Sequence, residues 1–360
     1  MGVSLVPDQM VIQSHKGPYK VEFVEKAFFG AASGGPKRHY IIDTRVAELY
    51  PKELADVLNS PSILLIEAKE KNKSLEKSPE YITQLVSSGI KRGHVLVAIG
   101  GGIIQDITCF IAAVLLRGVA WEFFPTTLLA QADSCIGSKS SINVGTFKNG
   151  VGTYTPPAKI TISPAVLATL PEVEIRSGIG EMLKVHAIAG PEAFDQIAAD
   201  YRKLGVEPKI MQKFILRSLE IKKRIIEQDE FDTGIRNVMN FGHSFGHAIE
   251  AATQFGIPHG IAVTIGMDMA GFISVQLDRM AKCHFNRMHQ TLRMNYRGFE
   301  KTSIPASRFF AAIAKDKKNS DTHLGLILPD TDAIPRRVEV ANNADFQDGC
   351  REYLDHVRTS

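Results

Sequence analysis

The 360-residue sequence lacks the features of several large classes of protein. Its four cysteines (Cys109, Cys135, Cys283 and Cys350) form no CxxC pair, so neither a disulfide framework nor a zinc finger is expected. Net charge is only +3, with no long basic block, which argues against a nucleic-acid partner. No apolar run reaches the roughly 18 residues of a membrane span, and no signal peptide is visible. We therefore expect a soluble, cytoplasmic protein, long enough for two domains.

The first half of the chain alternates short apolar runs with segments of helical character. Strands are expected at 20–29, 39–42, 62–66, 94–99 and 121–124, and helices at 79–93, capped by Ser78, and at 104–116. This alternation is typical of βαβ units around a parallel sheet.

Polar residues or glycines follow three of these strands: Asp43, the triple glycine at 100–102, and the pair Thr126 and Thr127. Ligands of parallel sheets bind where the strands end. Glycines let a pyrophosphate approach the backbone, and the next helix N-terminus favours its charge. The residues therefore form a candidate dinucleotide site, although GGGIIQD is not the GxGxxG fingerprint and glycine turns after strands are common.

A polar stretch follows at 131–143 and continues at 147–150. It contains Asp133, Lys139, Lys148 and Asn149, a combination that suits hydroxyl and phosphate groups. A solvated loop is the alternative interpretation.

The second half is expected to be mainly helical, at 174–189, 192–198, 209–227, 236–260, 261–277 and 305–314, with a last strand at 324–328. In one of these helices Glu181 and Lys184 lie three residues apart on one face. They form either a surface ion pair or a metal-binding carboxylate with a lysine beside it. Lys222, in a charged run, is by itself expected to be solvated, as are Lys317 and Lys318.

The stretch 236–260 contains a group of candidate site residues to which the rest of the chain can be related. If it is one helix, five polar residues lie on a single stripe: Arg236, Asn240, His243, His247 and Glu250. His259 follows on a turn. Spacing alone nominates His243 and His247 as an i, i+4 zinc pair, but HSFGH lacks the glutamate of an HExxH motif. A metal or anion site is expected, and its ligands stay open at this point.

Eight short runs resemble motifs of the 3-dehydroquinate synthase family of sugar-phosphate cyclases, in the family's order and spacing. They are GGGIIQD, LLRG, PTTLLAQADSCIGSK, FKNGVGTY, RSGIGEMLK, RNVMNFGHSFGHAIE, PHG and KDKKN. The resemblance extends from about Asp43 to Asn319. The resemblance implies an α/β NAD-binding domain with a parallel Rossmann-like sheet at 1–170, and a mainly α-helical domain for metal and substrate at 171–360.

The resemblance also assigns roles residue by residue. The metal, Zn²⁺ or alternatively Co²⁺, is assigned to Glu181, His243 and His259, so that His247 becomes a substrate contact. NAD contacts are assigned to Asp43, Glu70, Lys73, Gly101, Gly102, Asp106, Thr126, Thr127, Lys148, Thr169 and Glu174, with Asp133, Lys139 and Asn149 beside both cofactor and substrate. Contacts with the substrate ring are assigned to Lys184 and Asp133. Contacts with its phosphate are assigned to Lys139, Asn149, His247, Arg117 and one of Lys317 or Lys318. Contacts with its carboxylate are assigned to Lys222, Arg236 and Asn240. Arg117 matches a residue supplied by a neighbouring subunit, which implies a homodimer.

The implied activity is a lyase reaction of the shikimate pathway, which leads to aromatic amino acids. A seven-carbon sugar acid phosphate is transiently oxidised by NAD, loses phosphate, is reduced again, and closes into a carbocycle, so NAD is regenerated in each turnover.

Several positions depart from the usual synthase pattern: Gln105, Gly137–Ser140, Val185 with His186, and Ile261. The runs KNGVGTY and RSGIGEMLK look closer to cyclases of secondary metabolism, which form amino-dehydroquinate, valiolone or inosose products. The pair Arg236 and Asn240 favours a substrate with a carboxylate, and therefore dehydroquinate synthase or its amino-sugar counterpart. An iron-type alcohol dehydrogenase and a catalytically silent homologue are the alternatives from other classes.

Overall fold

The computed structural model describes residues 9–33, 37–145, 147–315 and 323–360. The chain divides into two units, Met1–Leu170 with Lys222–Phe231, and Pro171–Ile221 with Asp232–Ser360. The roles expected for Lys317 and Lys318 lie outside the described residues.

Strands are concentrated in the first unit and helices in the second. The strands are β1 (Gln9–Ile12), β2 (Tyr19–Phe23), β3 (Arg38–Asp43), β4 (Ile63–Ile66), β5 (Val95–Gly100), β6 (Ala120–Pro125), β7 (Ile142–Val144), β8 (Phe147–Val151), β9 (Lys159–Ile162), β10 (His323–Pro329) and β11 (Pro335–Ala341). The α-helices are α1 (Thr44–Leu49), α2 (Ala55–Leu58), α3 (Ser78–Ser87), α4 (Gly102–Val114), α5 (Glu172–Ile188), α6 (Pro191–Ala199), α7 (Tyr201–Leu204), α8 (Pro208–Gln228), α9 (His243–Ala252), α10 (His259–Gln276), α11 (Lys282–Asn295), α12 (Ala306–Ile313) and α13 (Ala344–Glu352).

Seven strands of the first unit form one sheet in the order β1-β2-β9-β6-β5-β3-β4. Every pairing from β2 to β4 is parallel, and only the edge strand β1 is antiparallel. From β3 the chain adds β4 on one side and then β5 on the other, so the strand order reverses between β3 and β5. Such a reversal opens a crevice at the carboxyl ends of the two strands, where ligands bind.

The second unit is built around α10. Its residues from Gly260 to Gly271 are all buried, as expected for a helix that is apolar on all sides and enclosed by neighbours. It packs against α5, α9 and α11. The expected combination of a parallel α/β sheet with a helical second part is therefore confirmed. Within the described ranges, no helix is long and apolar enough to cross a membrane.

The structure corrects several local expectations. The stretch 236–260 is not one helix: a 3₁₀ turn, Ile235–Asn240, precedes α9, and Gly242 separates them with a left-handed φ of 77°. The five-residue stripe is therefore wrong. Ser78 is not the cap of α3 but its first residue, and its hydroxyl donates to the carbonyl of Ser74. The expected polar loop contains the β7–β8 hairpin. Four further elements, β9, α11, α13 and β11, were not predicted.

A cluster of two histidines and a serine lies at the amino ends of β3, β4 and β5. Lys91 N–H donates to His94 Nδ1, so this nitrogen is an acceptor, and His39 Nε2 donates to it over 2.9 Å. The hydroxyl of Ser62 then donates to His39 Nδ1. Burial, with smaller effects from His94 and Lys37, lowers the pKa of His39 from 6.5 to about 4. The folded chain therefore holds His39 neutral.

This cluster predicts a pH dependence of stability. Because the pKa of His39 is lower in the folded state, its stabilising effect is complete above about pH 6.5 and is lost as the pH falls towards 4. In urea unfolding, wild type should lose on the order of 2 kcal/mol more between these pH values than His39→Gln. The exposed control, His356→Gln, should follow wild type. Equal losses in His39→Gln and wild type would contradict the assignment.

Candidate active site

Five of the residues expected to bind NAD lie at the carboxyl edge of the sheet. Asp43 ends β3 and caps α1, accepting a hydrogen bond from Arg45 N–H. Gly101 lies between β5 and α4, and Gly102 is the first residue of α4. A Cβ at Gly101 would come within 2.8 Å of Thr127 Cγ2. Thr126 N–H donates to the carbonyl of Gly100. The edge therefore presents a carboxylate, the backbone amides at the start of α4, and two hydroxyls, which together suit a dinucleotide.

Lys73 is the centre of a polar network in the first unit. Its ammonium donates to Asp106 Oδ2 over 3.1 Å and to Asn149 Oδ1 over 2.9 Å, and lies 3.6 Å from Glu70 Oε1. Only 9% of the Lys73 side chain is exposed, so these acceptors compensate a buried cation. Burial raises the pKa of Asp106, against the opposing effect of Lys73. The structure thus brings four predicted cofactor residues together.

Two residues of the same network were not predicted. Ser141 donates from its backbone and its hydroxyl to Asp106, at 2.9 and 3.0 Å. Asn143 donates to Glu70 Oε1 over 2.8 Å and accepts from Asn149 N–H. The sequence placed both within a polar stretch, but only the β7–β8 hairpin brings them against Asp106 and Glu70, which are distant in the sequence.

A second buried lysine of the first unit, Lys222, pairs with Asp133. Its ammonium lies 2.6 Å from Asp133 Oδ1, and both side chains are about nine-tenths buried. The expectation of a solvated Lys222 is therefore wrong. Gln105, which departs from the family pattern, exchanges two 2.6 Å hydrogen bonds with Ser134. It fixes the helical turn that carries Asp133 against α4.

The three predicted metal ligands meet in the second unit. Glu181 Oε1 lies 3.3 Å from His259 Nε2 and 3.8 Å from His243 Nε2. The ligand nitrogens of His243, His247 and His259 all lie within 4.8 Å of one another. His247, which the spacing argument had nominated, is the exposed member of the group.

The residues present fit a zinc ion. Tetrahedral zinc with bonds of about 2.0–2.1 Å holds neighbouring ligand atoms about 3.3 Å apart, close to the separations around Glu181 Oε1. Both oxygens of Glu181 are buried, and among the described residues neither accepts a hydrogen bond of good geometry. One carboxylate and two imidazoles are also a donor set that zinc prefers.

Lys184 places a positive charge beside Glu181, one of the three predicted metal ligands. Its ammonium lies 2.6 Å from Glu181 Oε2, and both side chains are at most 4% exposed, so the expected alternative of a surface ion pair is wrong. Burial would raise the pKa of Glu181, but Lys184, His243 and His259 outweigh it and hold the pKa well below its usual range. Burial lowers the pKa of His243 well below its usual value. Glu181 is therefore ionised and His243 neutral, as metal ligands must be.

Each of the three predicted metal ligands is next to a glycine in the sequence. A Cβ at Gly180 would clash with the carbonyl of Gly260, and a Cβ at Gly260 would clash with the carbonyl of Ser177. At Gly242 a Cβ would lie 2.6 Å from both Met267 Cγ and Val263 O. The absence of a side chain at these positions lets α5 and α9 approach α10 backbone to backbone.

The remaining predicted residues differ in their exposure. Arg236 is 7% exposed, Asn240 is half-buried, and Arg117 has a left-handed φ of 65°. The exposed ones are Arg117, Lys139, Lys148, Thr169 and Glu174.

Several solved structures share this fold, and synthases are among them. One is a 2-deoxy-scyllo-inosose synthase, solved with carbaglucose-6-phosphate, NAD⁺ and Co²⁺, with a TM-score of 0.85 at 22% identity over 96% of this chain and 99% of that one. Another is a 2-epi-5-epi-valiolone synthase from Streptomyces hygroscopicus subsp. jinggangensis 5008, with NAD⁺ and Zn²⁺ bound. It has a TM-score of 0.81 at 25% identity, over 92% and 95% of the two chains.

Sequence comparison establishes the family. Models of the 3-dehydroquinate synthase N-terminal and C-terminal regions match residues 63–177 and 178–319. A 3-dehydroquinate synthase from Acidithiobacillus ferrooxidans (strain ATCC 53993 / BNL-5-31) is 36% identical over 308 residues, which are 84% of each chain. The chain belongs to the 3-dehydroquinate synthase family.

The glycine contacts give a prediction about stability. Gly180→Ala forces a methyl group into the carbonyl of Gly260, so α5 and α10 must separate, and unfolding should become easier by about 3 kcal/mol. Gly205→Ala is the matched control, because nothing lies within 4 Å of its Cβ position, and its effect should stay within about 0.5 kcal/mol. Denaturant unfolding of the two variants measures the difference, and similar stabilities would refute the tight contact.

Proposed function

We propose that this protein is a 3-dehydroquinate synthase that converts 3-deoxy-arabino-heptulosonate 7-phosphate into 3-dehydroquinate and phosphate, using NAD and zinc. The observation that carries this function is the cluster of Glu181, His243 and His259 in a chain of this family, with Lys184 paired to the carboxylate. The reaction needs a polarising metal, and this set offers ligands with zinc-like spacing.

Both cofactors are also supported by proteins of the same fold, which were solved with NAD⁺ and either Co²⁺ or Zn²⁺. When bound, NAD would take up and return a hydride, and zinc would polarise substrate oxygens as a Lewis acid. Asp43, the start of α4 and the Lys73 network are the proposed NAD-binding groups. Glu181, His243 and His259 are the proposed metal ligands.

The chain's own cations have proposed tasks at the substrate. Lys184 is proposed to contact the ring hydroxyls, where its ammonium, paired with Glu181, would orient an oxygen. Lys139, Asn149 and His247 are the proposed phosphate contacts, and Arg117 is proposed to reach the phosphate of a second copy in a homodimer. Asp133 pairs with the ammonium of Lys222. We propose that this pairing fixes the position of Lys222 for contact with the substrate carboxylate.

A second candidate is a cyclase of secondary metabolism that acts on sedoheptulose 7-phosphate or a similar sugar without a carboxylate. The departures at Gln105 and at Gly137–Ser140 and the fold of the two solved synthases favour it. Arg236 opposes it, because this guanidinium is 7% exposed and can bind a carboxylate with two parallel hydrogen bonds.

Recycling of NAD tests the reaction class. With NAD at about a tenth of the substrate concentration, phosphate should be released in many-fold excess over NAD, without net accumulation of NADH. The net redox state of substrate and product is the same, so NAD is needed only catalytically. Stoichiometric NADH from simple alcohols would instead establish an alcohol dehydrogenase, and loss of all zinc and NAD binding would establish a silent homologue.

Variants of Arg236 test whether the substrate has a carboxylate that this residue binds. Arg236→Ala should raise KM for 3-deoxy-arabino-heptulosonate 7-phosphate by about 100-fold or more, since two charge-assisted hydrogen bonds are lost. Arg236→Lys keeps the charge but not the bidentate geometry, and its KM should lie between the two. The exposed control Arg337→Ala should keep the wild-type KM. An unchanged KM in Arg236→Ala would contradict a carboxylate at this position.

A further inference from the structure

Glu250 is a buried carboxylate that the proposed reaction does not use. It lies on α9, seven residues after His243, and is 8% exposed. A carboxylate removed from water is costly unless hydrogen-bonded partners compensate its charge. One of its oxygens, Oε2, lies 3.1 Å from Nδ1 of His259, the first residue of α10.

The hydrogen bond from His259 Nδ1 decides which nitrogen faces the metal ligands. With Nδ1–H donated to Glu250, the other nitrogen, Nε2, is the one that can offer a lone pair to a metal, and it lies 3.3 Å from Glu181 Oε1. His243 is held in the same sense, because its Nδ1 lies 3.3 Å from the carbonyl of Phe241. Both imidazoles therefore present Nε2 to Glu181.

We propose that Glu250 is a positioning residue that fixes the tautomer and ring orientation of His259 for metal binding. This inference rests on the proposed zinc site. Glu250 does not bind the metal or substrate itself; it acts through His259. Its negative charge also makes Nε2 of the imidazole a stronger electron-pair donor to a metal. The neutral carbonyl of Phe241 has the same effect on His243, but more weakly.

The position of His259 explains why such a residue is needed. Gln254 and Phe255, in the segment between α9 and α10, have left-handed φ values of 53° and 61°, and the side chain of His259 is 36% exposed. Its ring is thus less enclosed by packing than that of His243, whose side chain is 15% exposed. A fixed hydrogen-bond acceptor supplies the orientation that packing does not.

Two variants separate orientation from charge. Glu250→Gln keeps an oxygen that can accept the Nδ1 proton but loses the negative charge, whereas Glu250→Ala loses both. Zinc affinity of the purified, metal-free proteins is measured by competition with a chromophoric chelator. Glu250→Ala should bind zinc about 10- to 100-fold more weakly, the usual effect of removing such a partner, and Glu250→Gln should lie between it and wild type.

Glu339→Gln, an exposed glutamate of the same unit on β11, is the control and should bind zinc like wild type. Co²⁺ spectra of the loaded proteins give a second measure, since a reoriented His259 changes the visible absorption of the Glu250→Ala protein. Wild-type zinc affinity and an unchanged cobalt spectrum in both Glu250 variants would overturn the inference and leave the proposed function intact. Failure of wild type itself to bind zinc would overturn both.

Discussion

The proposed metal site depends on one steric constraint, the backbone contact of α5 and α9 with α10. Gly180, Gly242 and Gly260 each stand next to a proposed ligand and each has no room for a Cβ. Because the helices touch at these points, Glu181 and the two histidines meet with separations of 3.3 to 3.8 Å. A methyl group at any of these contacts would move a ligand by more than the few tenths of an ångström that zinc coordination tolerates.

Charge compensation is a second constraint, and it applies to each of the two units separately. Among the described residues, three lysines are buried, and each one has a carboxylate beside it: Lys73 has Asp106, Lys184 has Glu181, and Lys222 has Asp133. Buried pairs of this kind add little net stability, but removal of one partner is costly. In the proposed synthase, these pairs would hold ammonium groups at fixed positions before an anionic substrate binds.

The sequence predicted those features that depend on local chemistry. Apolar strands that end at Asp43, Gly100 and Pro125 could be recognised from the pattern alone, and so could the ligand edge of a parallel sheet. The proposed metal ligands could be named only from the family resemblance, since Glu181 and His243 are too far apart in the sequence to carry a local signal of contact. Spacing alone pointed to His247 instead of Glu181. The break at Gly242 could not be predicted either, because the close approach that excludes a Cβ there comes from Met267 and Val263 in α10. The strand β9 has only four residues and pairs with β2 and β6, which are distant in the sequence.

The most direct test of the proposed synthase activity is phosphate release by the purified protein with NAD and zinc, with 3-deoxy-arabino-heptulosonate 7-phosphate in one sample and sedoheptulose 7-phosphate in the other. We expect release from the first substrate alone, since buried Arg236 is assigned to its carboxylate. Release from the second substrate alone would keep the fold and family but contradict the assignment of the carboxylate, and with it the proposed synthase activity.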